Sequence, residues 1–140
     1  MPPAPPPTPR RTGQAVALAL AGLGLMAGCT GPGADQAGQT AVRFAEQAST
    51  SPEQACGLLS EQVRKDLEQN EQAACTEALG KIELPPASAQ QSVDVFEQHA
   101  RVALAGDVMF LARFDDGWKV TAAGCKPQPD DAPYECELGG

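Results

Sequence analysis

A single histidine, no Cys-x-x-Cys spacing and no uncharged apolar run long enough to span a bilayer comfortably define this chain by what it lacks. The lone histidine, His99, leaves little basis for imidazole acid–base chemistry. As a general base it would need Asp94 or Asp107 to orient it, and sequence spacing alone brings neither to it. Its plainer reading is a strand-end surface residue. Without Cys-x-x-Cys, and with His99 remote from every cysteine, neither a zinc site nor a redox dithiol is favoured. Basic residues are also scarce: 10 Lys and Arg stand against 18 Asp and Glu, a net charge of −8. That balance opposes nucleic acid or anionic lipid as a partner. Asp115-Asp116 and Asp130-Asp131 read as solvated turns rather than cation sites, because calcium needs more oxygen ligands in a defined loop. We therefore expect no catalytic residue, no cofactor and no metal.

What is present begins at the N-terminus. Met1 to Pro9 is proline-rich, Arg10 and Arg11 follow, and Ala15 to Ala27 is uncharged and apolar. That run is too short to cross about 30 Å of hydrocarbon comfortably as a helix and suits the apolar region of an export signal. Leu25-Met26-Ala27-Gly28-Cys29 is similar to the lipobox of bacterial lipoproteins, with Met26 where a small residue is usual. The resemblance implies a signal peptide over residues 1–28, fatty acyl chains (palmitate among them) on Cys29, and a mature protein on the outer face of the cell membrane. An ordinary secretory signal with Cys29 incidental is the alternative. Arg10-Arg11 raises twin-arginine export, but Thr12-Gly13-Gln14 lacks the large apolar residues of such signals.

Two acyl chains anchor stably where one anchors marginally. Residues 29–39 then read as a lipidated N-terminus and tether, kept irregular by Gly31-Pro32-Gly33 and Gly38, and residues 40–140 as one domain. Cleavage before Cys29 leaves 112 residues (140 less 28) and removes only Arg10 and Arg11 among the charges, so eight basic residues face 18 acidic ones, net −10. The abundance of Ala, Gly and Pro points to a GC-rich bacterial genome such as that of an actinomycete.

With Cys29 assigned to lipid, Cys56, Cys75, Cys125 and Cys136 form an even set, which in an exported domain implies disulfides. Among the possible pairings we prefer Cys56–Cys75, which staples neighbouring helical segments, and Cys125–Cys136. The latter closes the polar loop Lys126 to Pro133, which has little apolar content with which to fold itself. Each closure is worth about 3 kcal/mol in the loop-entropy description.

The mature chain divides by hydrophobic period. Ala37, Ala41, Phe44, Ala45 and Ala48 predict a helix over roughly 36–49. Ser51-Pro52-Glu53-Gln54 is a helix start with Gln54 at the capping-box position, and Ala55, Leu58 and Leu59 give that helix an apolar face. Val63 and Leu67 belong to a third helical piece, and Asn70 is a candidate cap for a fourth over Glu71 to Leu79, closed by Gly80. After Pro85-Pro86 the period becomes two. Gln91–Gln98, Ala100–Ala105, Val108–Phe114 and Trp118–Ala122 read as strands, with turns at Gly106-Asp107 and Asp115-Asp116-Gly117. The expectation is an α+β fold, helices packed on an antiparallel meander. Val108–Phe114 is apolar on both faces at its centre. One face meets the helices; the other meets a fold-back of the sheet, a pocket or another molecule.

Helices first, then a meander ending in Phe114-Asp115-Asp116-Gly117-Trp118-Lys119-Val120, resembles the NTF2-like (cystatin-like α+β) superfamily. More narrowly, Asp116 to Cys125, followed by a Pro-rich loop and Tyr134-Glu135-Cys136, is similar to small exported lipoproteins of actinobacteria. The resemblance implies a curved sheet wrapped as a cone around a helix, a geometry that serves as an enzyme pocket in some members and a binding module in others. Two functions follow. The anchor, the stapled domain, the apolar second face of Val108–Phe114 and the absence of a convergent catalytic set point to a non-catalytic envelope module that binds a partner protein or itself. The other is capture of a small ligand, or weak catalysis on one, in an NTF2-like pocket for which Phe44, Phe96, Phe110 and Trp118 are candidate liners.

Overall fold

In a computed structural model, residues 1–9 and 32–140 are described. The apolar run, Arg10-Arg11 and Cys29 lie outside the described residues. Among the described residues four α-helices come first: α1 (Ala34–Thr50), α2 (Pro52–Leu58), α3 (Glu61–Glu71) and α4 (Cys75–Leu79). Five strands follow: β1 (Gln90–Phe96), β2 (His99–Leu104), β3 (Val108–Phe114), β4 (Gly117–Lys126) and β5 (Glu135–Gly139). The strands pair antiparallel in simple sequence order, making an open meander with free edges at β1 and β5. The α+β class read from the sequence is therefore present. Among the described residues no helix is long and apolar enough to cross a membrane.

The strand period explains which face is covered. Ala100, Val102 and Leu104 of β2, Met109 and Leu111 of β3, and Trp118 and Val120 of β4 are buried against the helices. From the other side α1 supplies Ala37, Ala41, Phe44 and Ala45, spaced by three or four residues. Its small residues let the helix lie close to the sheet while Phe44, with no exposed surface, fills the space beneath it. Burial of one such side chain is worth about 1.5–3 kcal/mol.

Several local expectations shift. Helix α1 begins at Ala34, so the segment expected to be irregular up to Gln39 is helical from that residue, with Gly38 inside the helix. Ser51 does stand before α2, but its hydroxyl makes no capping bond, and the Gln54 side chain instead accepts from Gln47 Nε2 at 3.0 Å. The cap that forms is Ser60, whose hydroxyl accepts from Val63 N at 3.3 Å. Asn70 does not start a helix: α3 runs through it and ends at Gln72 in the left-handed conformation, φ 48°. The next helix starts only at Cys75, whose backbone N–H donates to Glu68 Oε1 at 3.2 Å.

Both disulfides join the pairs preferred from sequence. Cys56–Cys75 ties α2 to α4, and Cys125–Cys136 ties β4 to β5 with its Cα atoms 3.9 Å apart. The second bridge sits in a part of the sheet that the expected strands omitted. Strand β4 continues past Ala122 to Lys126, and β5 pairs with that extension. Gly139, at φ +67°, lies so close to Thr121 that a Cβ there would collide with the Thr121 carbonyl. Beside the first half of β4, where β5 does not reach, the α2–α3 junction takes its place: Ser60 N donates to Val120 O at 3.0 Å.

Candidate functional site

The helices leave one face of the sheet uncovered, and the strand register determines what it carries. Asp94 faces Arg101, Phe96 faces His99, His99 faces Ala112, and Arg101 faces Phe110. With Val108, Phe114 and Ala103 these residues form the outer face, mostly half-buried or exposed. Phe96 at 65 % and Phe114 at 46 % exposure are its most exposed apolar side chains.

Arg101 organises the middle of this face. Its Nη1 donates to Asp94 Oδ2 at 3.1 Å, and its Nε donates to the Tyr134 hydroxyl at 3.2 Å. The guanidinium lies 5.9 Å from the Tyr134 ring centroid, and that ring meets Phe110 edge-on, centroids 5.1 Å apart. The hydrogen bond to Tyr134 is the main cause that raises the Arg101 pKa above its ordinary value, while burial works the other way. Tyr134 reaches this position because the Cys125–Cys136 bridge, two residues away, holds the start of β5 against β4.

Beside Phe110 the surface sinks into a trough between the outer face and α3. A cleft of about 450 Å³ has Phe110, Thr121 and Ala122 as its floor, with Gln62, Val63 and Asp66 of α3 and Tyr134 as walls. It shares Gln62, Val63 and Thr121 with a cleft of about 540 Å³ that extends to Phe114 and Lys65. In the other direction it shares Asp66 and Cys136 with a polar cleft of about 370 Å³ lined by Asn70, Glu71 and Glu137. The trough is thus apolar where it crosses the sheet and acidic at its far end, where no Lys or Arg lines it.

The four aromatic residues proposed from sequence as liners do not share this or another described cleft. Phe44 and Trp118 lie on the helix side of the sheet, in the core, and Phe96 and Phe110 lie on the outer side. Of the four, only Phe110 lines the trough. Trp118 is 5 % exposed, its Nε1 has no hydrogen-bond partner among the described residues, and the Arg113 guanidinium lies 4.9 Å from its ring centroid.

No His–Asp pair forms among the described residues. His99 is exposed on the outer face. Asp94 is committed to Arg101, and Asp107 lies in the β2–β3 turn, at the opposite end of β2 from His99. Asp107 is instead a buried clamp. Its carboxylate accepts from Cys125 N at 3.2 Å. Burial raises its pKa, and the backbone N–H groups facing it, that of Cys125 foremost, partly offset the rise. Asp116 pairs with Lys119 at 3.2 Å, as a turn residue would. Among the described residues no group of three or more His, Cys, Asp or Glu side chains could hold a metal ion.

Sequence reasoning did not single out Arg101, Asp66 and Thr121, and it quoted Tyr134 only within the C-terminal motif. One signal was legible: Tyr134, Cys136 and Leu138 alternate with Glu135 and Glu137, a strand pattern next to a cysteine. Comparison with protein-family models, with curated proteins and with solved structures found no match.

Proposed function

We propose that the chain is a lipid-anchored extracytoplasmic lipoprotein whose domain, an NTF2-like variant, acts as a non-catalytic accessory module binding another protein of the cell envelope. The anchoring part rests on the lipobox-like Leu25 to Cys29, and the actinobacterial setting on composition and the C-terminal motif. The NTF2-like part rests on a long helix lying along one face of an antiparallel meander. One observation carries the binding part: on the uncovered sheet face, a trough joins an apolar floor at Phe110 to an acidic end at Asp66, Glu71 and Glu137. The occupant that fits is a polypeptide segment presenting an apolar anchor flanked by Lys or Arg. A second copy of the same chain fits less well, because two domains of net charge −10 after signal removal repel each other.

A photo-crosslinking residue at Thr121, introduced in the full-length protein in intact cells, tests this. The expected result is a discrete adduct with one envelope protein through a basic segment, lost when Asp66 and Glu137 are changed to Lys. Adducts only with a second copy, or none, overturn it. The small-ligand reading keeps support from the cleft of about 450 Å³, within the usual range of ligand pockets. It predicts a small bound molecule, and no protein adduct, at the same position.

A further inference from the structure

Where the chain enters the domain determines which end of the domain stands next to the membrane. Arg113 Nη2 donates to the carbonyl of Pro32 at 3.1 Å, and the same guanidinium stacks over Trp118. Gly33 follows at φ +83°, and a Cβ there would approach Arg113 Nη2 to 2.6 Å and Trp118 Nε1 to 3.2 Å. The entering chain is therefore fastened flat against the end of β3 and the start of β4, and only glycine fits at the crossing. From Cys29 to Pro32 there are three Cα steps, which reach at most about 11 Å. A domain of this size is roughly 35 Å across. An anchor at Cys29 cannot reach the far end of the molecule.

The near end is the one formed by the β1–β2 and β3–β4 turns. Arg113 N donates to Gln98 O at 2.8 Å, which sets the two turns side by side. Apart from Met1, the exposed large apolar side chains of the described residues are both here. They are Phe96, the last residue of β1, and Phe114, the last of β3. They share the outer face, since Phe96 faces His99, His99 faces Ala112, and Phe114 is two residues beyond Ala112. With strands spaced about 4.8 Å and residues rising about 3.4 Å, the two rings sit on the order of 12 Å apart. The charges around them are mixed: Glu61, Glu97, Asp115 and Asp116 are interspersed with Arg64, Lys65, Arg113 and Lys119, and Lys65 is already paired with Glu61 and Lys119 with Asp116. Such an end offers a membrane apolar contact, with its basic side chains offset by acidic ones.

We infer that Phe96 and Phe114 form the membrane-facing end of the domain and insert their rings into the interfacial layer of the bilayer to which Cys29 is anchored. The inference rests on the lipid-anchor reading of Cys29. Its occupant is a lipid surface, and the short length of chain between the anchor and the pinned Pro32 selects it. The insertion fixes the domain's orientation, so that the trough along α3 runs up from the membrane rather than beneath the protein. Because the contact is apolar, it does not require anionic lipid.

The test uses the full-length protein, purified with its anchor from bacterial membranes and reconstituted into phosphatidylcholine vesicles brominated in the upper acyl chain. Phe114→Trp and Phe96→Trp are compared with Gly106→Trp in the β2–β3 turn at the opposite end, where a side chain meets open space. The emission of the buried Trp118 in the unsubstituted protein is subtracted. The expected result is at least threefold stronger quenching at positions 96 and 114 than at 106, unchanged when a quarter of the lipid is phosphatidylglycerol. Equal quenching at all three positions overturns the inference, as does blue-shifted but unquenched emission at 96 and 114, which would mean coverage by protein. An intact mass separates the two failures. Acylated Cys29 with equal quenching sinks this inference alone, whereas an unacylated Cys29 sinks the anchor reading and this inference with it.

Discussion

The two faces of one sheet have opposite fates, although their central strand β3 is apolar on both. Toward the helices, Met109 and Leu111 are 2 % and 1 % exposed and pack against α1 and its neighbours. On the outer side, Val108, Phe110 and Ala112 are only half-buried and Phe114 is largely exposed. Apolar content does not distinguish the faces; coverage does. The helix-facing side uses its apolar surface to hold the fold together. The outer side keeps apolar surface available and surrounds it with Arg101, Tyr134 and the acidic flank of α3.

The sharpest way to break this comparison is to truncate each face in turn. Leu111→Ala on the helix side should cost about 2–5 kcal/mol of unfolding free energy, measured by denaturant titration, because it leaves a cavity in a packed core. Next in size is loss of the Cys125–Cys136 bridge. Replacing both cysteines with alanine should cost about 2–3 kcal/mol. It should also free Tyr134 from Arg101, seen as averaging of the Tyr134 ring signals by NMR; a ring that stays ordered would show that the bridge does not position it. Phe110→Ala on the outer face should cost only about 1 kcal/mol, since part of its surface is already in water. A cost equal to that of Leu111→Ala would mean that the outer face is core in all but name, and the contrast would collapse.

The smallest effect concerns pH. Burial raises the folded-state pKa of Asp107 above its unfolded value, so the folded state disfavours the ionised carboxylate. The corresponding share of stability is present in acid and is lost as pH rises through the raised pKa. Asp107→Asn keeps an oxygen acceptor for the Cys125 N–H and cannot ionise. The stability of the variant relative to the unsubstituted protein should therefore increase as pH rises from below the ordinary aspartate range, then level off. A flat difference across that window, measured by thermal melts at a series of pH values, would show that Asp107 titrates alike in both states.

Much of the architecture was legible because it is local. Residues three and four apart marked α1, alternation marked β1 and β2, and Asp116-Gly117 marked the hairpin between β3 and β4. Boundaries were less legible where side chains far along the chain decide them. The break between α3 and α4 depends on the Glu68 bond to Cys75 and on the bridge from Cys75 to Cys56, neither of which is a helix-breaking residue. At Ser51 and Ser60 the sequence patterns look alike, yet only Ser60 caps, because its backbone is also held by Val120 of β4. Strand β5 is hard to read from the sequence because its alternation is short and follows a Pro-rich loop.

By itself the sequence determined the class of fold and the order of its helices and first four strands, and it favoured the cysteine pairing that forms, because periodicity, turn residues and loop closures act over short stretches of chain. Only the tertiary structure decided which apolar face is covered and which is left open. It also decided that Phe44 and Trp118 are core while Phe96 and Phe110 lie on the other side of the sheet. The meeting of Arg101 with Tyr134, 33 residues later, likewise depends on the register of five strands and the bridge that ends them. Such contacts are settled by how elements pack, and no window of neighbouring residues contains that information.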